Sequence, residues 1–275
     1  MKINIGELQN HFLQSYLTIS EGVIFMENVL ITGGTSGIGY ALARIFAANK
    51  YNLILVSSNY ENLKIASQKL QSEFPVTINI FEQDLSELKA AENLYTSIQA
   101  NNINVDILVN NAGYGLVGAT EQINLQDDEK MMILNMLTPV ELCKLFLPHM
   151  YEKQHGSILN ISSTGAFQPG PFTSTYFASK AFVLSYSKAV RFEAKKYGIR
   201  VCTLCPGATR TNFFTREGTT LPKNSMSADE VAEYAYRQLM KNKSVFIPGF
   251  INRIMQVLPT NIKMLAVAKM KREKF

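Results

Sequence analysis

Cysteine is scarce in this chain, charge is sparse, and long apolar runs are missing. Three cysteines, Cys143, Cys202 and Cys205, are too few and of the wrong parity for a disulfide framework, and they suit a reducing compartment. Cys202 and Cys205 have the spacing of a redox pair. They fall in an expected strand, however, where three steps span about 10 Å, and a disulfide needs α-carbons within about 7 Å. Both are read as core residues. The three histidines, His11, His149 and His155, have neither ligand spacing nor an acidic cluster beside them, so no metal is expected. Charged residues make up 18% of the chain, below the usual quarter or so, which points to apolar contacts with substrate, lipid or other subunits. No run approaches the roughly 20 apolar residues of a membrane span. Polar Asn4, Glu7, Gln9 and Asn10 interrupt the start, where a signal peptide needs a continuous apolar stretch. The expected location is the cytoplasm, with peripheral contact at a membrane surface as a variant.

What charge there is sits at one end. Residues 251–275 hold Arg253, Lys263, Lys269, Lys271, Arg272 and Lys274 against the single acid Glu273, which accounts for the whole net charge of +5. A nucleic-acid binder would carry a basic stripe across its folded domain, so no nucleic-acid partner is expected. The tail mixes these cations with Ile254, Met255, Val257, Leu258, Ile262, Leu265 and Val267. Such a composition suits an anionic membrane surface or packing on the fold or a partner subunit.

From residue 27 onward, short apolar runs alternate with helical patterns. Strands are expected over 28–32, 52–57, 76–81, 105–110, 156–162, 199–205 and 244–247, and helices near 37–49, 60–73, 86–100, 127–152, 175–197 and 227–241. The strand runs, such as Leu53-Ile54-Leu55-Val56, are apolar throughout rather than alternating, which means burial on both faces and a parallel sheet between helices. Repeated βαβ units of this kind give an α/β, doubly wound, Rossmann-type fold of about seven parallel strands with helices on both faces. With 275 residues, one catalytic domain over 26–250 is expected, preceded by an extension over 1–25 and followed by the basic amphipathic tail over 251–275.

The first strand runs into Thr32-Gly33-Gly34-Thr35-Ser36-Gly37-Ile38-Gly39 and then a helix. Glycines there let backbone N–H groups approach a pyrophosphate, and the helix N-terminus adds a positive dipole. The second strand ends Val56-Ser57-Ser58-Asn59. An acid at this point would hold the 2′-hydroxyl of NAD, and none is present. Ser57, Ser58 and Asn59 can donate to a 2′-phosphate, although no arginine stands there to clamp it. NADP is preferred over NAD on that basis.

Further on, Asn110-Asn111-Ala112-Gly113 follows the fourth strand, Ile161-Ser162-Ser163 ends the fifth, Tyr176-Phe177-Ala178-Ser179-Lys180 opens a helix, and Cys205-Pro206-Gly207-Ala208-Thr209-Arg210-Thr211 follows the sixth strand. In this order and spacing the motifs resemble the short-chain dehydrogenase/reductase family. The resemblance implies an NAD(P)-dependent oxidoreductase acting on CH–OH or C=O groups. It assigns the adenine contact to Asp84 and Leu85, the cofactor floor to Asn111, Ala112 and Gly113, and the nicotinamide cover to Pro206, Gly207, Thr209 and Thr211. It makes Asn135 the residue that holds a water leading from Lys180 to solvent, and it implies a homodimer or homotetramer paired through the helices near 127–152 and 175–197.

The residues support the chemistry independently. Tyr176 and Lys180 are four apart, so they share a helix face. An ammonium and a positive nicotinamide both favour the phenolate, so Tyr176 can pass a proton to a carbonyl oxygen or take one back. Ser162 and Ser163 should point to opposite faces of their strand. Ser163, thirteen residues before Tyr176, stands at the spacing that the family resemblance implies for the catalytic serine, and it is the expected donor to the substrate oxygen. Phe167, Phe172 and Phe214 are candidate walls of an apolar substrate pocket, for a lipid-like ketone, a steroid or a 3-oxoacyl compound. Two alternatives are a nucleotide-sugar-modifying relative, which would need a larger C-terminal domain than the stretch after Thr211, and a non-catalytic nicotinamide-binding sensor, which would normally have lost one of Ser163, Tyr176 or Lys180.

Overall fold

The computed structural model describes residues 19–20, 23–24, 26–213, 221–222 and 225–272, so Phe214 and most of the expected extension over 1–25 lie outside the described residues. Strands and helices alternate as β1 (Asn28–Thr32), α1 (Gly37–Ala48), β2 (Asn52–Ser57), α2 (Tyr60–Glu73), β3 (Ile78–Glu82), α3 (Ala90–Ala100), β4 (Ile107–Asn110), α4 (Leu125–Met132), α5 (Thr138–Lys153), β5 (Ser157–Ile161), α6 (Ser174–Ala194), β6 (Arg200–Leu204), α7 (Ala228–Met240), β7 (Val245–Phe246), α8 (Phe250–Met255) and α9 (Thr260–Arg272). The seven strands form one parallel sheet in the order β7-β6-β5-β4-β1-β2-β3.

The apolar strands are explained by two cores, one on each face. Val29, Ile31, Leu53 and Leu55 pack with Leu42 and Phe46 of α1 and Val231 and Leu239 of α7. Their chain neighbours Leu30, Ile54 and Val56 point the other way and pack with Leu94 and Ile98 of α3 and Leu142 and Phe146 of α5. In-register pairing aligns Leu30 with Ile54 and Leu108, so each row across the sheet stays apolar and loses its contact with water.

Three boundaries differ from expectation. The helix expected from residue 86 begins at Ala90, because Asp84 accepts from the Ser86 backbone N–H and hydroxyl at 2.9 and 2.7 Å and Lys89 takes a left-handed φ of 65°. The helix expected over 127–152 is divided by a π-helical turn, Ile133–Leu137. The tail forms α8 and α9, which its mixed pattern did not reveal. By length and composition, residues Leu125–Lys153 are apolar enough to cross a membrane, contrary to the expectation that no stretch qualifies. The physical reason is core packing, since Leu142, Cys143, Phe146, Leu147 and Met150 from this stretch are buried against the sheet.

Candidate active site

The strand order reverses at β1, whose neighbours β2 and β4 lead to opposite edges of the sheet. A crevice opens at such a point, at the carboxyl ends of the strands, and here it is a cleft of about 420 Å³. Six strands deliver their following loops to its wall. Gly33, Thr35, Ser36, Gly37 and Ile38 come after β1, Ser57 and Ser58 from β2, and Asp84 and Leu85 after β3. Asn111, Ala112 and Gly113 follow β4, Ser163 follows β5, and Pro206, Gly207, Thr209 and Thr211 follow β6. Tyr176 and Lys180 of α6 complete it. Gly39 and Asn135 stand behind the wall rather than in it.

The glycine loop is held from below by a short network. Asn111 Nδ2 donates to the carbonyls of Thr32 and Gly33 at 2.9 and 3.2 Å, and the N–H groups of Asn111 and Ala112 both donate to Thr32 Oγ1 at 3.0 Å. Gly39 has to be glycine, because a Cβ there would lie 2.2 Å from the Gly33 carbonyl oxygen. Ser36 caps α1 without a side-chain hydrogen bond, and no acid occupies the helix's first turn. Backbone donors and the positive helix end therefore face the cleft uncontested, an arrangement suited to a pyrophosphate. At the end of β2, Asn59 is committed elsewhere, since its side chain caps α2 by accepting from the Asn62 N–H at 2.8 Å. Ser57 and Ser58 remain in the wall, and the single acid among the described lining residues is Asp84.

At the other side of β1, the reactive side chains converge. Lys180 is 5% exposed. Its Nζ donates to the Ile161 carbonyl at 3.1 Å and lies 5.8 Å from the Tyr176 ring centre. Burial pushes its pKa down to about 8, because a desolvated ammonium is disfavoured. The two serines differ in use. Ser162 Oγ donates to the Lys180 carbonyl at 2.7 Å and ties β5 to α6. Ser163 Oγ accepts from the Gly165 N–H at 3.0 Å, which leaves its own O–H available to donate.

Asn135 sits in the π-helical turn and is 1% exposed. Wide turns of this kind recur at functional sites. Its Nδ2 donates to the Tyr114 carbonyl at 2.9 Å and to Ser179 Oγ at 3.1 Å, while its Oδ1 accepts from the Tyr114 N–H at 3.3 Å. A Cβ on Gly113 would lie 2.8 Å from Asn135 Oδ1 and 3.2 Å from Lys180 Nζ, so only glycine lets the β4 loop pass between these two groups.

The substrate side departs most from the sequence-based expectation. Phe167 and Phe172 are not among the cleft-lining residues. Phe167 lies in a 3-10 turn, Thr164–Phe167, with its carbonyl bonded to Lys263 Nζ. Phe172 takes a left-handed φ of 61°, and its carbonyl accepts from the Gly118 N–H at 2.9 Å. The apolar wall comes instead from Tyr114, Leu134, Phe177 and Phe213, with Val267 and Met270 of α9. Phe213 packs on Tyr176 at 5.5 Å between ring centres. Phe177 could have been found from its place next to Tyr176. The α9 residues carry no motif, and only their helical spacing hints at a shared face.

Comparison with known proteins gives a consistent picture. A family model described as "short chain dehydrogenase" matches residues 27–221. A protein named fatty acyl-CoA reductase from Acinetobacter baylyi is 31% identical over 79% of this chain and 76% of its own. Dehydrogenase/reductase SDR family member 7C-B of Danio rerio is 30% identical over 73% of this chain, which spans only 62% of that relative. Among solved structures, a short-chain dehydrogenase from Sphingobium yanoikuyae in complex with NADPH superposes with a TM-score of 0.78 at 28% identity, covering 89% of this chain and 94% of that one.

Proposed function

Because the chain belongs to the short chain dehydrogenase family and is an NAD(P)-dependent oxidoreductase, we propose that it reduces or oxidises an apolar carbonyl/alcohol substrate with Tyr176 as the acid/base. The observation that carries this reading is the convergence of Ser163, Tyr176 and buried Lys180 on the same cleft as the glycine loop. The residues fit a dinucleotide. The uncapped N-terminus of α1 and the glycine loop suit its pyrophosphate, and Ser57 and Ser58, without an acid beside them in the wall, suit a 2′-phosphate. NADP is therefore the favoured cofactor, and the NADPH complex of the Sphingobium relative is in keeping with this choice. When bound, the nicotinamide supplies or accepts the hydride.

The chain's own residues handle orientation and the proton. Ser163 donates to the substrate oxygen and fixes it near Tyr176. In the reducing direction the Tyr176 hydroxyl gives its proton to that oxygen as negative charge develops on it, and in the oxidising direction the phenolate takes one. Lys180, close to the Tyr176 ring, favours the phenolate by its charge. Asn135 holds the β4 loop and α6 together through Tyr114 and Ser179. Phe177, Phe213, Val267 and Met270 exclude water and select apolar substrate bodies. The fatty acyl-CoA reductase name of one relative is in keeping with such a pocket. A screen of long-chain ketones, steroids and 3-oxoacyl compounds with NADPH tests this. Consumption of NADPH with members of that set is expected, and consumption with small polar carbonyls alone would contradict it.

The same reading includes pairing of two subunits through α5 and α6, where Phe182 and Phe192 stand 40% and 85% exposed. It also includes a cytoplasmic location with peripheral membrane contact through the tail, whose Phe250, Ile251, Val257 and Leu265 are all more than half exposed. Liposome flotation of the whole protein and of Leu265→Glu checks the second point, since loss of flotation in the variant is expected.

A further inference from the structure

The helix pair α8 and α9 reaches back to two loops that flank the reacting side chains, and one buried cation closes the connection. Lys263, in the first turn of α9, is 6% exposed. Among the described residues it forms no ion pair. Its Nζ donates instead to two backbone carbonyls, those of Phe167 at 3.2 Å and Gln256 at 3.5 Å. Phe167 ends the 3-10 turn that starts directly after Ser163, and Gln256 is the C-cap of α8. Burying an ammonium is costly even when it is hydrogen-bonded, and an apolar side chain of similar volume packs without that cost. A lysine here therefore calls for a role that an apolar residue cannot fill, and holding two carbonyls at once is such a role.

The two carbonyls belong to a closed circuit. At the start of the turn, the Thr164 N–H donates to the Pro206 carbonyl at 2.9 Å. The N–H groups of Gly165 and Ala166 donate to Ser163 Oγ and the Ser163 carbonyl at 3.0 and 3.1 Å. Gly207, next to Pro206, lies against Asn252 of α8, since a Cβ on Gly207 would be 2.5 Å from Asn252 Nδ2. The Asn252 carbonyl accepts from Gln256 Nε2 at 3.1 Å. The circuit thus runs from Ser163 along the turn to Lys263, across to Gln256 and Asn252, and through Gly207 and Pro206 back to Thr164. The turn also leans on Phe177, because a Cβ on Gly165 would be 3.2 Å from that ring. A shift of the turn is therefore felt at Ser163 and beside Tyr176 together.

We infer that Lys263 is a positioning residue for Ser163: from α9 it pins the far end of the turn and so fixes where the Ser163 hydroxyl points. This rests on the oxidoreductase reading, in which Ser163 donates to the substrate oxygen, and it adds a part of the chain that none of the sequence motifs includes. A bond from an ammonium to a carbonyl is stronger than a neutral one, so the end of the turn keeps one orientation. Without it, the Phe167 end moves, and Ser163 Oγ moves with it because it is bonded to Gly165 inside the same turn. Misplacing such a group by about an ångström costs up to roughly a hundredfold in rate. Lys263 acts only through the turn and touches none of the reacting atoms.

The test is a double-mutant cycle on the full chain with Lys263→Met, Ser163→Ala and the pair, together with Lys263→Arg. Reduction of a long ketone (2-decanone) and a short one (2-butanone) by NADPH is followed. Lys263→Met is expected to lower kcat about ten- to a hundredfold for both ketones, with KM and NADPH affinity little changed. In the Ser163→Ala background the same substitution should cost less than about twofold more, because residues that act as a unit are not additive. Lys263→Arg, which keeps charged donors, should restore most of the rate. The thermal midpoint of Lys263→Met should stay near that of wild type, since relief of a buried ammonium offsets two lost hydrogen bonds. Amide hydrogen exchange of the cofactor-free protein gives an answer that does not hang on turnover: the Gly165 and Ala166 amides should exchange faster in Lys263→Met, while those of the glycine loop do not. Equal rate losses with and without Ser163, a change confined to KM for the long ketone, unchanged exchange at Gly165 and Ala166, or general unfolding of Lys263→Met would each overturn the assignment. Wild type that binds no nicotinamide cofactor would instead overturn the oxidoreductase reading beneath it, and the exchange data would still decide whether Lys263 holds the turn.

Discussion

The two ends of the cleft are built on different principles. At the cofactor end, backbone does the work: a glycine loop, the N-terminus of α1, and the Thr32–Asn111 network that fixes them. Few side chains can substitute there, since a Cβ at Gly39 or Gly113 would lie under 3 Å from its neighbours. At the substrate end the wall is made of side chains from Phe177, Phe213 and the distant helix α9, any of which can be exchanged for another shape. Backbone recognition constrains residue type and leaves a motif, whereas side-chain walls constrain only volume and polarity and leave none.

The contrast is broken most severely at the junction of the two ends. Tyr176→Phe should lower kcat by about a thousandfold, within the range for a lost general acid, while NADPH affinity stays near that of wild type. Steady-state rates and a binding titration together check this. A loss of binding equal to the loss of rate would mean that Tyr176 serves the cofactor end alone.

Lys180 sharpens the comparison through stability. The unfolded chain holds the Lys180 proton up to the ordinary lysine value of 10.5, and the folded chain only up to about 8. Between these values the unfolded state binds more protons, so stability of the cofactor-free protein should rise with pH, while below about 8 the penalty is fully present. Lys180→Met should abolish that rise and, at neutral pH, stabilise the protein by about 3 kcal/mol while losing activity. Denaturant titrations at several pH values decide it, and an unchanged pH profile in the variant would show that Lys180 is not the group responsible.

Gly39→Ala should cost about 2 kcal/mol in stability by overpacking and weaken NADPH binding at least tenfold by moving the loop. A comparable swap in the other wall, Val267→Ala, should leave NADPH binding alone and change only substrate kinetics. The smallest effect expected is at Ser58→Asp. A carboxylate there should repel a 2′-phosphate and weaken NADPH by roughly tenfold, an energy of about 1.4 kcal/mol, with NADH little affected.

What the sequence disclosed follows the same division. The alternation of apolar runs with helical patterns was enough to expect seven parallel strands, because burial on both faces forces Leu53 to Val56 to be apolar without a break. Tyr176 and Lys180 could be named because four residues on one helix place them on a shared face, and Ser163 because it ends a strand at the distance from Tyr176 that the family resemblance implies. The π-helical turn around Asn135 was not legible, since Ile133-Leu134-Asn135-Met136-Leu137 reads as ordinary helix and the widening comes from tertiary contacts with Tyr114 and Ser179. Phe167 and Phe172 were reasonable wall candidates by residue type, but the residues of this stretch that line the cleft are Thr164, Gly165 and Gln168. The fold of α9 was hidden because its inward residues include two lysines, the reverse of the pattern by which a packed helix is recognised.

The most direct measurement of the central claim is a fluorescence titration of NADPH and NADH into the full chain and Ser58→Asp, with turnover of an apolar carbonyl followed in the same samples. The account predicts binding of both cofactors by wild type with NADPH the tighter, selective loss of NADPH affinity in the variant, and turnover that tracks NADPH occupancy. Binding of neither cofactor would contradict it and bring the non-catalytic alternative forward.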